Sequence, residues 1–303
     1  MACCDQGVNP ADAADHPPGW TSPRGQGDTG ATCCQYGCRV VSSVDLKDEQ
    51  LLRYSRQILL SDIDLEGQQR LAACRVLVLG MGGLGSPVAM YLAGAGVGQL
   101  VLVDPDVVEI SNLHRQFLHS TQSLGELKVE SARQTLSARY PDVELLTFSE
   151  RLDEAALREQ IGLADVVVDG TDNFATRVMV NKACVTTRTP LIYGAVVGLE
   201  GQASVFRADR DDSPCYNCLY ADLDKARSDE PQQSSFENCS GQGVLGPVAG
   251  IIGCIQATEA IKVLLELGDS LQGRLLMLDA RAMSFRSFVL TRNPNCSVCG
   301  AAA

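Results

Sequence analysis

The chain has 303 residues, 45% of them hydrophobic, and a formal net charge of -12, which is enough apolar sequence for one large α/β domain or two smaller ones. A pI of about 4.7 excludes a nucleic-acid or anionic-membrane surface, because both require clustered Lys and Arg, but leaves room for a local basic pocket. Thirteen cysteines in a chain this long, with no signal peptide at its start, fit a reducing cytoplasm better than a disulfide-stapled secreted domain.

Residues 1–45 are polar, contain Pro17, Pro18, Gly19, Gly25, Gly27 and Gly30, and show neither helical nor strand period. A disordered leader is expected there. Its cysteines (Cys3, Cys4, Cys33, Cys34, Cys38) are poorly spaced for one tetrahedral metal site. A single domain is expected over 46–303, opening with a charged amphipathic helix over 48–57. Strand 75–79, helix 86–95 and strand 99–104 make a first βαβ unit, followed by a helix over 127–139 that Pro141 ends. Strand 143–148, a short helix near 154–161, strand 166–169, helix 176–187 and strand 191–194 continue the alternation, which implies a parallel, Rossmann-like sheet. Alternating strands over 202–207, 273–279 and 284–290 predict an antiparallel C-terminal extension. Between them, 210–243 is polar and expected to be a mobile loop. The apolar window 244–265 contains Gln256, Thr258, Glu259 and Lys262, so it reads as a packed helix and not a membrane span.

The most informative motif is Gly80-Met81-Gly82-Gly83-Leu84-Gly85, set between an apolar strand and a helix, with Asp104 ending the next strand. Strand, G-x-G-x-x-G turn, helix and an acid about 20 positions later form the dinucleotide fingerprint, in which backbone N–H groups hold phosphate and the acid holds ribose. Alone it points to an NAD-dependent oxidoreductase. Ser111-Asn112-Leu113-His114-Arg115-Gln116 follows at once and adds a cation and amides where more phosphate charge can be met. Gly170-Thr171-Asp172-Asn173 follows a parallel strand, at the sheet edge where open α/β folds bind ligands.

Cys215-x-x-Cys218 and Cys296-x-x-Cys299 form a second signal. Four thiolates are the ligand set of a closed structural zinc site. Two redox dithiols or two unrelated pairs are the alternative readings.

Together these segments resemble the ubiquitin-activating-like adenylyltransferases of bacterial sulfur transfer, the MoeB and ThiF family, with the molybdopterin-synthase branch nearest. The resemblance rests on Arg53-Tyr54-Ser55-Arg56-Gln57, the glycine turn, Asp104, Ser111–Gln116, Lys128, Thr171-Asp172-Asn173, both C-x-x-C pairs and Gly243-Val244-Leu245-Gly246-Pro247-Val248. It runs from about residue 48 to 300 and leaves out the leader.

The resemblance implies ATP- and Mg²⁺-dependent adenylation of the C-terminal glycine of a small ubiquitin-like sulfur carrier, such as the small molybdopterin-synthase subunit, in molybdenum cofactor biosynthesis. It implies that Gly80, Gly82, Gly83 and Gly85 admit the phosphates, that Asp104 binds ribose, and that Asn112, Arg115 and Lys128 contact phosphate. Ser111, Leu113, Gln116 and Asn173 would line the nucleotide, His114 through its backbone alone, and Asp172 would hold Mg²⁺. Arg56 would reach into a partner subunit's site, making the active unit a homodimer, and sulfur would come from a separate donor protein. Individually, Arg56 and Lys128 also read as solvated helix charges, Asn112 as a turn former and Asp172 as an N-cap. Cys239, in the 210–243 loop, is either a catalytic thiol or dispensable; Cys74, Cys184 and Cys254 read as core packing. The rival readings are the same reaction on a thiamine- or cysteine-pathway carrier, an NAD-dependent oxidoreductase, and a non-enzymatic scaffold.

Overall fold

Short Val- and Leu-rich runs bounded by Gly, Pro and Asp form the strands, as their branched side chains favour. In the computed structural model, which describes residues 44–220 and 243–300, these strands are β1 (Arg75–Leu79), β2 (Gln99–Val103), β3 (Glu144–Phe148), β4 (Val166–Asp169), β5 (Leu191–Val197), β6 (Glu200–Phe206), β7 (Arg274–Asp279) and β8 (Ser284–Val289). They join one sheet in the order β3-β2-β1-β4-β5-β6-β7-β8. β1 to β5 pair in parallel and β6 to β8 are added antiparallel, as the sequence pattern predicts. The leader and Cys239 lie outside the described residues, as does most of the 210–243 loop.

The helices are α1 (Asp48–Arg53), α2 (Ser55–Ile58), α3 (Asp64–Ala73), α4 (Gly85–Gly94), α5 (Lys128–Arg139), α6 (Glu154–Leu163), α7 (Phe174–Thr187), a helical stretch over 216–220 (α8) and α9 (Gly246–Leu265). Alternation along β1 sends Val76 and Val78 to one face and Leu77 and Leu79 to the other. The first face is covered by α3, α4, α5 and α9 through Leu71, Val88, Val129 and Ile252. The second is covered by α6, α7 and α8 through Leu157, Val180 and Tyr216.

α9 is long and apolar enough to cross a bilayer by length and composition, yet 61% of its apolar window is buried inside the protein. Its buried Glu259 accepts hydrogen bonds from the Leu271 N–H (2.7 Å) and Lys262 Nζ (2.6 Å). The expectation of a packed helix therefore holds. At Gly253 it passes so near α4 that a Cβ would stand 2.7 Å from the Leu84 carbonyl oxygen.

The structure departs from the sequence reading in four places, the first being that 216–220, within the expected 210–243 loop, is helical because Tyr216 buries its ring in the core. The expected helix over 48–57 is broken at Tyr54 (φ -94°, ψ 8°) into α1 and α2, because the buried Tyr54 ring turns inward onto Gly96. α3 has no counterpart in the sequence reading. Its Gly67 interrupts the apolar pattern and packs instead against Ile63 and Leu265. Cys254 is half-buried, whereas Cys74 and Cys184 are in the core as expected.

The chain builds β1, β2 and β3 outward in one direction, then crosses to β4 on the opposite side of β1. Such a reversal leaves a crevice at the carboxyl ends of the two central strands, where open α/β sheets bind ligands. The glycine turn leaves β1 there and residues 170–173 leave β4 beside it.

Candidate nucleotide site and cysteine cluster

The turn after β1 is built so that only glycine fits. Gly80 has φ +86°, in the left-handed region, and a Cβ on it would stand 3.0 Å from the Gly170 carbonyl oxygen. A Cβ on Gly85 would collide with the Gly80 carbonyl oxygen. The two loops of the crevice are thus in contact. The α4 N-terminus has no side-chain cap, and the N–H groups of Gly82, Gly83 and Leu84 have no acceptor among the described residues. Orphan donors of this kind suit anion binding.

Asp104 is 5% exposed. Its Oδ2 accepts the Met81 N–H at 2.6 Å and its Oδ1 accepts the Asp106 N–H at 2.8 Å. Burial pushes its carboxyl above the usual carboxylate range, opposed by the nearby Lys128 charge and these two hydrogen bonds. The residue read from sequence as a ribose ligand therefore also pins the glycine turn.

A cleft of about 400 Å³ opens next to it, lined by Pro105, Asp106, Val107, Glu109, Asn112 and Lys128. Lys128 begins α5, is only 8% exposed along its side chain, and pairs with the more open Asp106 at 2.8 Å. Asn112 is buried and its Oδ1 accepts the Glu109 N–H at 3.2 Å, so it is a turn former as well as a cleft wall. Ser111 is exposed and Leu113 half-buried beside it. Arg115 donates to the Ser111 carbonyl at 2.9 Å and lies 2.7 Å from His114 Nε2. Its stem runs against the glycine turn, since a Cβ on Gly83 would lie 3.4 Å from Arg115 Cδ and 3.2 Å from Ala249 of α9. Gln116 is 3% exposed, and its Oε1 has no partner among the described residues.

On the other side of the crevice Asp172 is exposed. The cap of α7 is Asn173, whose Oδ1 accepts the Thr176 N–H at 2.8 Å, so capping falls to Asn173 and not to Asp172. Behind them lie groups the sequence reading did not single out. Asp169 ends β4 and is buried, so its carboxyl is pushed up by desolvation and pulled back by Arg177. Arg177 donates to the Thr171 carbonyl at 2.6 Å and lies over the Tyr193 ring at 5.4 Å. Gln256 donates to the Asp169 carbonyl at 2.7 Å. Among cleft residues Asp106 was also missed. None of these carries a motif.

Arg56 is exposed on α2 and does not join this group. Its neighbour Gln57 donates to the Ala95 carbonyl at the C-terminal end of α4, about 15 Å along the helix from the glycine turn.

The four cysteines of the two C-x-x-C pairs come together, with all four sulfurs within 4.8 Å of one another. The Cys215–Cys218, Cys215–Cys296 and Cys218–Cys299 sulfurs are 4.0, 3.7 and 3.4 Å apart. Sulfurs placed tetrahedrally about 2.3 Å from one ion would be separated by about 3.8 Å, so the cluster has the size and ligand set of a zinc site. N–H donors surround it, as thiolate ligands require. The Asn293 N–H reaches Cys218 at 3.4 Å, the Val298 N–H reaches Cys296 at 3.5 Å, and Asn181 Nδ2 reaches Cys215 at 3.6 Å. Hydrogen bonds led by the Cys215 thiol hold the Cys218 thiol well below the usual thiol range.

The sequence profile of the ThiF family matches residues 54–298. The chain belongs to the ThiF family. Among ThiF relatives, it is 44% identical to a molybdopterin-synthase adenylyltransferase of Salmonella typhimurium, over 84% of this chain and 99% of that one. It is 45% identical to the sulfur carrier protein ThiS adenylyltransferase of Escherichia coli, over 84% of this chain and 97% of that one. A crystal structure of E. coli MccB with ATP superposes with a TM-score of 0.68 at 25% identity, covering 82% of this chain and 74% of that one.

Proposed function

We propose that this chain is a cytoplasmic, homodimeric enzyme that uses ATP and Mg²⁺ to adenylate the C-terminal glycine of a small ubiquitin-like sulfur carrier. The carrier is the small molybdopterin-synthase subunit, which places the reaction in molybdenum cofactor biosynthesis. One observation carries the reading: the Gly82, Gly83 and Leu84 N–H groups and the Gln116 Oε1, which have no partner among the described residues, and the buried Lys128 all gather around the switch-point crevice. The names of the two relatives support it.

In this reading the carrier carboxylate oxygen forms a bond to the α-phosphorus, and the bond to the β-phosphate bridging oxygen breaks, its electron pair leaving with pyrophosphate. Both reactants are anionic, so catalysis consists of neutralising charge and holding the line of attack. Turn N–H groups, Asn112, Arg115 and Lys128 take the phosphates, and lone pairs left on Asp104 take ribose. Ser111, Leu113, His114 and Gln116 border the nucleotide, with Asn173 fixing the loop that carries Asp172. Mg²⁺, a hard cation, suits Asp172 together with phosphate oxygens. Arg56, far from its own chain's turn, serves the site of the second subunit. A sulfur nucleophile from a separate donor protein then bonds to the carrier's acyl carbon, and the acyl–oxygen bond to the phosphate breaks, its electron pair leaving with AMP. Adenylation itself needs no thiol, so Cys239 is assigned to the later sulfur-transfer step.

Pyrophosphate exchange into ATP that requires both Mg²⁺ and the carrier tests this reading. Absence of carrier-dependent exchange with each of several sulfur carriers would sink it. The match to a ThiS adenylyltransferase is as strong as that to the molybdopterin enzyme, which supports a second reading with a thiamine-pathway carrier. Running the exchange with both carriers side by side separates the two.

A further inference from the structure

His119 closes the segment that carries Arg115 and Gln116, is 7% exposed, and has both ring nitrogens engaged. Nε2 lies 3.0 Å from the Met81 carbonyl oxygen, and Nδ1 lies 3.0 Å from Ser131 Oγ of α5. A carbonyl can only accept, so Nε2 carries the hydrogen, and in the neutral ring Nδ1 accepts from the Ser131 hydroxyl. Met81 is therefore held twice: its N–H by Asp104 and its carbonyl by His119.

This clamp has a directional effect on the next residue. In a trans peptide the carbonyl of one residue and the N–H of the next point in opposite directions. With the Met81 carbonyl turned in toward His119, the Gly82 N–H is turned away from it, and that N–H has no acceptor among the described residues. We infer that His119 is a positioning residue for nucleotide binding, acting through the Met81–Gly82 peptide to aim the Gly82 N–H at a phosphate oxygen. The inference rests on the nucleotide reading of the crevice. His119 itself touches no substrate; losing it frees one peptide plane and leaves the charged groups in place.

The test compares His119→Gln with His119→Asn in the full chain. A Gln amide extends to the position of Nε2 and keeps a donor for the Met81 carbonyl, whereas the shorter Asn amide reaches only the Ser131 side. ATP dissociation constants in the presence of Mg²⁺ are measured directly, beside the melting temperature of each variant. Loss of one aimed donor to a charged oxygen predicts about tenfold weaker ATP binding for His119→Asn, with His119→Gln within about threefold of the parent. Should His119→Asn not fold, Ser131→Ala, which removes only the hydroxyl steering the ring, is read the same way with about threefold expected. Equal ATP affinity in the Gln and Asn variants, whatever their melting temperatures, overturns the inference alone. A parent protein that binds no ATP overturns the inference together with the nucleotide reading.

Discussion

Removing the cysteine cluster's second half is expected to cost the fold as much as cutting a cross-link. Cys218 and Cys296 are brought within one cluster, so a bound ion closes a loop on the order of 80 residues. The chain-entropy relation for a loop of that size gives about 4.5 kcal/mol of stabilisation at 25 °C. For a domain of this size that corresponds to roughly 8–10 °C in melting temperature. The perturbation is the double substitution Cys296→Ser with Cys299→Ser, read by thermal unfolding with and without a chelator and by metal analysis. The parent should hold about one zinc per chain and lose its extra stability on chelation, while the double variant should melt low and ignore the chelator. A double variant melting within about 2 °C of the parent would refute the reasoning. Stability lost to a thiol reductant but not to a chelator would show disulfides in place of a metal.

Asp172→Ala should abolish Mg²⁺-dependent pyrophosphate exchange while the exposed position leaves the melting temperature unchanged; surviving exchange would displace Asp172 from the metal role. Glu259→Ala leaves the buried Leu271 N–H without its acceptor, which should cost about 1–3 kcal/mol in denaturant unfolding. Burial lowers the pKa of His119 below its usual 6.5, aided by the Lys128 charge and opposed by the Met81 hydrogen bond and Asp104. Below pH 6.5 the unfolded chain then binds a proton that the folded chain refuses, so His119's contribution to stability is present at neutral pH and lost as the pH falls from 6.5 toward the folded value. Denaturant unfolding at pH 7.5 and 5.5 should show this slope in the parent and a shallower one in His119→Gln.

The glycine turn, Asp104 and the paired cysteines were legible in the sequence because each needs a fixed spacing along the chain. The parallel-then-antiparallel order was legible for a similar reason: continuous apolar runs such as Val166-Val167-Val168 differ from alternating ones such as Ser284–Val289. What escaped was set by contacts across the chain. Asp106 sits 22 residues before the Lys128 it pairs with, and Gln256 lies 87 residues after the Asp169 whose carbonyl it satisfies. His119 belongs to no motif, and its ring is placed by Met81, 38 residues before it, and Ser131, 12 residues after it. The break at Tyr54 likewise depends on Gly96, which no local helix pattern contains.

α7 has a mechanical consequence for the crevice. Its first turn is tied to the loop carrying Asp172 through the Asn173 cap. Asn181, about 12 Å further along the axis, donates to Cys215 and accepts the Tyr216 N–H at 2.9 Å. A rod held at two such points makes one jamb of the doorway stiff. Facing it, residues 105–127 consist of short 3-10 turns and bends that leave Ile110, Phe117 and Leu124 exposed.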